Sequence, residues 1–251
     1  MTRALLAASA IALVGCGTPA APAPGTPTPE VGTSPIRVLA VTATAGFRHA
    51  SIPTARQTLA SMAADTGELV VTPTESLDDI SAARLGSVDV LMFALTSGEL
   101  ALDAAQKAAL LAFVNGGGGF VGVHSATDTF YTWPEYGQLV GAYFKEHPWT
   151  QEAAVRVEAP AHPAGRGLGP SFRLLEEFYT FIENPRARVQ VVLSLDASSV
   201  GADGDFPLAW AHTVGQGRSF YTALGHFDST WSDPRFQAHL RGAIAWTAKR
   251  E

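Results

Sequence analysis

Gly116-Gly-Gly-Gly-Phe-Val-Gly-Val-His-Ser-Ala126 is the stretch that decides the fold. Its centre, Gly119–Val123, is a short apolar run of the kind buried on both faces in a parallel sheet. Upstream, Asp103 to Val114 carries apolar residues at helical spacing, and Asn115-Gly116 supplies the stop. Downstream, His124 stands just past the carboxyl end of the strand, where open α/β sheets bind their ligands. The glycines follow a helix and lack the Gly-x-Gly-x-x-Gly order of a dinucleotide loop, so they mark the entry to a strand.

Working outward, the same alternation recurs. Ile36–Val41, Leu69–Thr72 and Val88–Ala94 read as strands, and Ile52–Ala64 reads as a helix with Pro53 in its first turn. Strands alternating with helices predict a mostly parallel central sheet with helices on both faces, a flavodoxin-like α/β fold. After about residue 150 the helices give way to strands joined by turns: Val155–Ala159, Phe172–Ile182, Val189–Leu195, Phe206–His212 and Gly217–Leu224. These predict extra antiparallel strands in the C-terminal half. Pro234–Ala248 closes the chain as an amphipathic helix. There is no internal repeat, and residues 36–251 are expected to form one domain.

The N-terminus has a different character. Arg3 precedes an apolar run, Ala4 to Val14, which is shorter than the about 20 residues a helix needs to span a bilayer. It has the length of a signal-peptide core. It ends in Leu13-Val14-Gly15-Cys16, which resembles the bacterial lipobox, and Cys16 is the only cysteine of the chain. Residues 1–16 are therefore expected to be a lipoprotein signal with Cys16 as the lipidation site. Residues 17–35 are rich in Pro, Ala and Thr and too poor in large apolar side chains to fold, so a disordered tether is expected. The expected location is the cell envelope, with export and a lipid anchor to the membrane. A formal net charge of −6 argues against nucleic acid as a partner. A single cysteine excludes an intrachain disulfide and a multi-thiolate zinc knuckle.

Several motifs, in order, carry a resemblance to a known family. Gly116–Ala126 is followed by Phe130-Tyr131 and Trp133-Pro134, then by Gly141–Phe144 with His147-Pro148. Glu176-Glu177-Phe178-Tyr179, Pro207–His212, Gly215–His226 and Trp231 complete the set. Together they resemble the ThuA-like (trehalose utilisation) family. The resemblance implies a fold like that of the class I glutamine amidotransferases, in which a sharp strand-to-helix turn presents a cysteine. Here His124 occupies the nucleophile's place. Residues 36–251 hold no cysteine, so glutamine amidotransferase chemistry is excluded. Ser125 is one place too late for a serine-hydrolase elbow. Family members often have Asp-Glu where this chain has Glu176-Glu177, which leaves the role of Glu176 open.

His124, Glu177 and His226 are the candidate catalytic residues. His49, Tyr131, Trp133, His147 and Arg218 are the candidate substrate-binding residues. His49, His124 and His226 each follow a predicted strand and form a candidate site for a divalent metal such as zinc or manganese. Each choice has a structural alternative: an elbow histidine held by hydrogen bonds, loop caps for His49 and His226, and an ion pair of Glu177 with Arg48 or Arg218. Side-chain alternation predicts that Glu176 and Glu177 do not share one pocket. Tyr131, Trp133, Trp149, Trp210 and Trp231 are expected near the histidines, with Trp133 as the ligand contact and Trp210 in the core. His162 and His239 read as surface residues.

The resemblance implies work on carbohydrates, with glycosides oxidised to 3-keto sugars as the expected substrates. A ketone acidifies the adjacent carbon, so an imidazole base and a metal suit that chemistry. The reaction class, lyase, hydrolase or isomerase, is left open. The alternatives are a carbohydrate-binding lipoprotein without catalysis and a metal-dependent hydrolase of another small molecule. Besides a carbohydrate-type small molecule and the membrane, a second copy of the chain is the remaining candidate partner, as a homo-oligomer.

Overall fold

In the computed structural model, which describes residues 1–2 and 34–251, five parallel strands form the left half of a nine-stranded sheet. They are β1 (Ile36–Val41), β2 (Leu69–Thr74), β3 (Val90–Ala94), β4 (Gly119–Val123) and β9 (Gly217–Thr222), in the order β2-β1-β3-β4-β9. Every residue of β3 and β4 is buried, as continuous apolar runs with helices on both faces require. Pro73 is tolerated because β2 lies at the sheet edge. Helices α1 (Ile52–Thr66), α2 (Ala82–Leu85) and α3 (Ala104–Asn115) connect these strands. A capping box between Asp103 and Gln106 starts α3. The expected lipidation site Cys16, the apolar run before it and most of the expected tether lie outside the described residues. Among the described residues no helix is long and apolar enough to cross a membrane.

The other four strands are antiparallel and extend the sheet from β9 through β8 (Pro207–Val214), β7 (Gln190–Leu195) and β5 (Phe144–Val157) to β6 (Ser171–Phe181). The first of these is expected from the sequence to start at Val155, but β5 begins eleven residues earlier. The reason is that Phe144–Glu152 is charged, contains Pro148 and is mostly exposed, so it carries no apolar alternation. This segment is nevertheless what builds the site. Only Val155–Val157 of β5 pair with β7, whereas β5 and β6 pair along nearly their whole length, with two register breaks. The rest of the hairpin lies over the carboxyl ends of the parallel strands, bringing Glu177 and Tyr179 of β6 onto His124. Short helices α4 (Pro134–Val140) and α5 (Asp228–Ser232) flank this end, and α6 (Pro234–Thr247) packs on β4 and β9.

Candidate functional site

Three loops leaving parallel strands each deliver one imidazole. His49 follows β1, His124 follows β4 and His226 follows β9. Their rings contact one another edge to face, with centroids 4.7 to 5.2 Å apart. Glu177 supplies a carboxylate from β6. One ligand atom from each of these four residues lies within 4.8 Å of the other three.

The backbone fixes this meeting point. His124 has φ 53°, a left-handed conformation that costs a non-glycine residue about 1–2 kcal/mol. It opens a 3-10 turn, His124–Asp128, whose side chains are nearly all buried. The turn therefore presents the imidazole directly past the carboxyl end of β4. His124 Nδ1 donates to the Ala223 carbonyl at 2.7 Å, which leaves Nε2 as the bare nitrogen turned to the centre. Nε2 accepts from the Tyr179 hydroxyl at 2.9 Å and lies 3.2 Å from His226 Nδ1. Burial holds the Tyr179 hydroxyl protonated, well above the ordinary phenol pKa.

Glu177 uses both of its oxygens. Oε2 lies 3.1 Å from His226 Nδ1 and 3.5 Å from His124 Nε2, while Oε1 faces His147 Nδ1 at 3.3 Å. Burial penalises the carboxylate, but the imidazoles of His226 and His124 beside it outweigh that and hold its pKa below the usual range. The opposite balance acts on His226: burial disfavours its charge, and Glu177 more than compensates, so its pKa is raised. His49 is pushed down to about 3, chiefly by burial and then by His124 and His226, so it is a neutral imidazole. His147 is half exposed and forms the solvent edge of the group.

Glu176 is the residue that sequence reasoning undervalued. It is fully buried. Its carboxylate accepts from Gly225 N (2.8 Å), His226 N (2.9 Å), Thr230 Oγ1 (2.8 Å) and Glu177 N (3.1 Å). The two neighbouring glutamates do diverge, as alternation predicts, yet both serve one site: Glu177 touches the imidazoles and Glu176 holds the turn that carries His226. Gly225 in that turn has φ 129°, and a Cβ there would lie 3.1 Å from Val123. Trp231 Nε1 donates to its carbonyl, so Trp231 supports the turn from below.

The structure moves other expected residues away from the centre. Arg218 stands at the start of β9, the opposite end of the strand from His226, where it donates to the Trp246 carbonyl and pairs with Glu251. Among the described residues Glu177 thus has no arginine partner, and Arg48 pairs with Glu75 instead. Trp133 is buried against Phe130 and Tyr136 and is a core residue, with no face free for a ligand. Tyr131 is partly exposed, but its hydroxyl donates to Asp128 and to the Phe144 carbonyl and its ring stacks on Tyr143. Trp149 packs on Phe206, while Trp210 is in the core as expected. His162 and His239 are buried, not on the surface, because both grip the backbone of Ala164. A cavity of about 380 Å³ lined by Tyr143, Ile182 and His212 includes none of the four donor residues.

Comparison with known proteins agrees with this architecture. The model of the ThuA family, described as trehalose utilisation, matches residues 37–247. No protein of curated function matches the chain. Among solved structures, the chain is similar to one from Bacteroides uniformis ATCC 8492 described as ThuA-like, at TM-score 0.72 and 23% identity over 89% of this chain and 95% of that one. A second ThuA-like structure, from Parabacteroides merdae ATCC 43184, gives TM-score 0.70 and 19% identity over 85% and 90% of the two chains. A Thermoplasma acidophilum structure described as a GMP synthase protein gives TM-score 0.53 and 13% identity over 85% and 94%. At such identities the likeness is one of fold.

Proposed function

The chain belongs to the ThuA (trehalose utilisation) family, and from that premise we propose that it processes an oxidised glycoside, of the 3-keto type, by metal-assisted acid–base chemistry. The observation that carries the reading is the convergence of His49, His124, Glu177 and His226, whose ligand atoms lie within 4.8 Å of one another. Three imidazoles and one carboxylate are a donor set suited to zinc, with manganese as the harder alternative. Two further features fit a divalent ion. His49 is held neutral, as a ligand must be, and the Ala223 carbonyl fixes the tautomer of His124 so that Nε2 is the free donor. When bound, such an ion polarises a carbonyl and stabilises the enolate formed beside it.

The protein's own groups then divide the work. His124 Nε2 is buried and committed to the donor set, so the proton-accepting role passes to His147, the imidazole at the solvent edge. Glu177 Oε1 orients His147. His147 takes the proton from the carbon next to the ketone, and the electron pair moves onto the ketone oxygen. The Tyr179 O–H, no longer needed by His124 Nε2, donates to that oxygen. The enolate re-forms the ketone either by expelling the glycosidic oxygen, which leaves as the alcohol with the proton carried by His147, giving elimination, or by accepting a proton on its opposite face, giving an epimer.

We further propose that the mature protein is exported and held at the membrane through a lipid on Cys16. Labelling with a radioactive fatty acid, lost on Cys16→Ser, tests the anchor.

The reaction is tested with the purified 36–251 domain. Elemental analysis should find about one divalent ion per chain, and 3-keto-trehalose or a 3-keto-glucoside should turn over in a chelator-sensitive way. His147→Ala should keep the metal and lose at least about 100-fold in turnover, the usual scale for a general acid–base group. His124→Ala should lose both. Sugar binding with no product in any assay would favour the carbohydrate-binding alternative.

A further inference from the structure

Phe47 is 64% exposed. Among the described residues it is the exposed large apolar side chain whose ring touches an imidazole of the centre, meeting His49 edge to face at 4.8 Å. Leaving a phenylalanine ring in water forgoes the gain of burying it. The chain around it is nevertheless tied down. Ala45 N and Gly46 N both donate to the Ser97 carbonyl, and Ser97 Oγ donates to the Phe47 carbonyl at 2.6 Å. Gly46 and Gly98 pack so closely that a Cβ on Gly98 would fall 2.5 Å from Gly46 N. On the other flank Arg48 is fixed by both oxygens of Glu75. The backbone is thus rigid on either side of a ring that the described residues leave mostly exposed, which is how a preorganised binding surface is made.

The ring also has a place in a row. Phe47, His49, His226 and Phe227 follow one another with centroids 4.8, 5.2 and 4.5 Å apart. Apolar rings therefore flank the buried His49 and the partly exposed His226, and the polar donors lie between them. A pyranose has the matching pattern: one face of C–H groups and a rim of hydroxyls or a carbonyl. An aromatic face takes the first, and the donor set and its neighbours take the second.

We infer that Phe47 is a substrate-binding residue whose exposed ring stacks on the apolar face of a pyranose, holding an uncharged glycoside with its reactive carbon over the histidine–carboxylate centre. This rests on the proposed function for the identity of the reacting group, but not for the sugar ring itself. Phe47 carries no proton and no ligand atom, so it sets affinity and leaves the chemical step alone.

The test compares wild type with Phe47→Ala and Phe47→Trp, using a 3-keto-glucoside for kinetics and unoxidised trehalose and methyl glucoside for calorimetry. Phe47→Ala should keep its metal content and melting temperature. KM and Kd should rise about tenfold, the scale of one lost aromatic contact, with kcat within about threefold. Phe47→Trp should restore the affinity, and its fluorescence should change on titration with sugar. Equal affinity of wild type and Phe47→Ala overturns the inference and leaves the proposed reaction standing. Binding of sugars that depends on Phe47, without turnover, upholds the inference and removes the reaction. If no glycoside, oxidised or not, binds wild type or perturbs Phe47→Trp, the inference falls.

Discussion

The molecule buries histidines in two places, and the two clusters are built on opposite principles. At the carboxyl end of the sheet, His49, His124 and His226 turn toward one another and toward a carboxylate. Near the other end of β9, His162 and His239 turn toward one residue of backbone. His162 Nδ1 accepts from Ala164 N–H at 3.1 Å, and His239 Nδ1 donates to the Ala164 carbonyl at 2.7 Å. Their rings pack on Phe220, and neither Nε2 has a partner among the described residues. Among the described residues no carboxylate bonds to either ring. Burial of an imidazole is thus common to both clusters, and the difference lies in where the second nitrogen points. Convergent nitrogens plus one carboxylate make a site that can hold a cation. Divergent ones make a clamp, here pinning the turn Pro163–Gly165 to α6.

The sharpest way to break this contrast is to remove the group that makes the first cluster convergent without touching a ligand. Glu176 does this by holding the turn that carries His226. Glu176→Ala leaves four buried donors without an acceptor. Unfolding in urea should show a loss of about 3–5 kcal/mol, since each orphaned donor costs about 1–3 kcal/mol before relaxation. The metal content of the folded fraction should fall as His226 drifts. Unchanged stability and metal content would mean that the turn is held by Trp231 and Gly225 alone.

The two clusters also differ in how much of them could be read from the sequence. His49, His124 and His226 were legible because each follows a strand of a parallel sheet, and strand ends in such sheets share one edge. The short apolar runs at Ile36–Val41 and Gly119–Val123 appear in the structure with the same bounds. Glu177 was legible as a candidate catalytic residue but not as the fourth ligand, because its strand lies at the far edge of the sheet in hydrogen-bonding order. Only the fold-back of the β5–β6 hairpin brings it to the centre. That hairpin is hidden by the polar sequence of Phe144–Glu152. The aromatic contacts were misplaced for a similar reason. Trp133 and Tyr131 sit next to His124 in sequence, but the chain turns them into the core and onto Tyr143, while Phe47 arrives from a distant loop. His162 and His239 were misread because a lone histidine carries no periodic signal, and the clamp on Ala164 is a tertiary event.

A second measurement sharpens the contrast through pH. Burial lowers the pKa of His239 to about 4, against 6.5 for the free side chain. The unfolded chain therefore binds a proton that the folded chain refuses. Stability from this residue is complete above pH 6.5 and is lost as pH falls from 6.5 toward 4. The full loss is about 3 kcal/mol, since each tenfold change in proton affinity between the folded and unfolded chain is worth about 1.36 kcal/mol. His239→Leu removes the titration at the cost of one hydrogen bond, about 1 kcal/mol at neutral pH. Its stability should decline less steeply than wild type between pH 6.5 and 4. Parallel curves for the two proteins would show that His239 is not the buried neutral base of the clamp.

The smallest expected effect is at Arg218, and it asks whether the amino end of β9 takes any part in the chemistry. Arg218 makes two contacts, a 2.7 Å bond to the Trp246 carbonyl and a 2.6 Å pair with Glu251, and its guanidinium lies 4.9 Å from the centre of the Trp246 ring. All three tie the end of α6 to the sheet. Both ionic partners are about a quarter exposed or more, so solvent screens the pair. Arg218→Gln should cost no more than about 1 kcal/mol. Turnover and sugar affinity should stay within about twofold of wild type, because a strand's length separates residue 218 from the turn that carries His226. A large loss of affinity with stability intact would put substrate at the amino end of β9 as well, and the division between a reactive end and a clamped end would no longer hold.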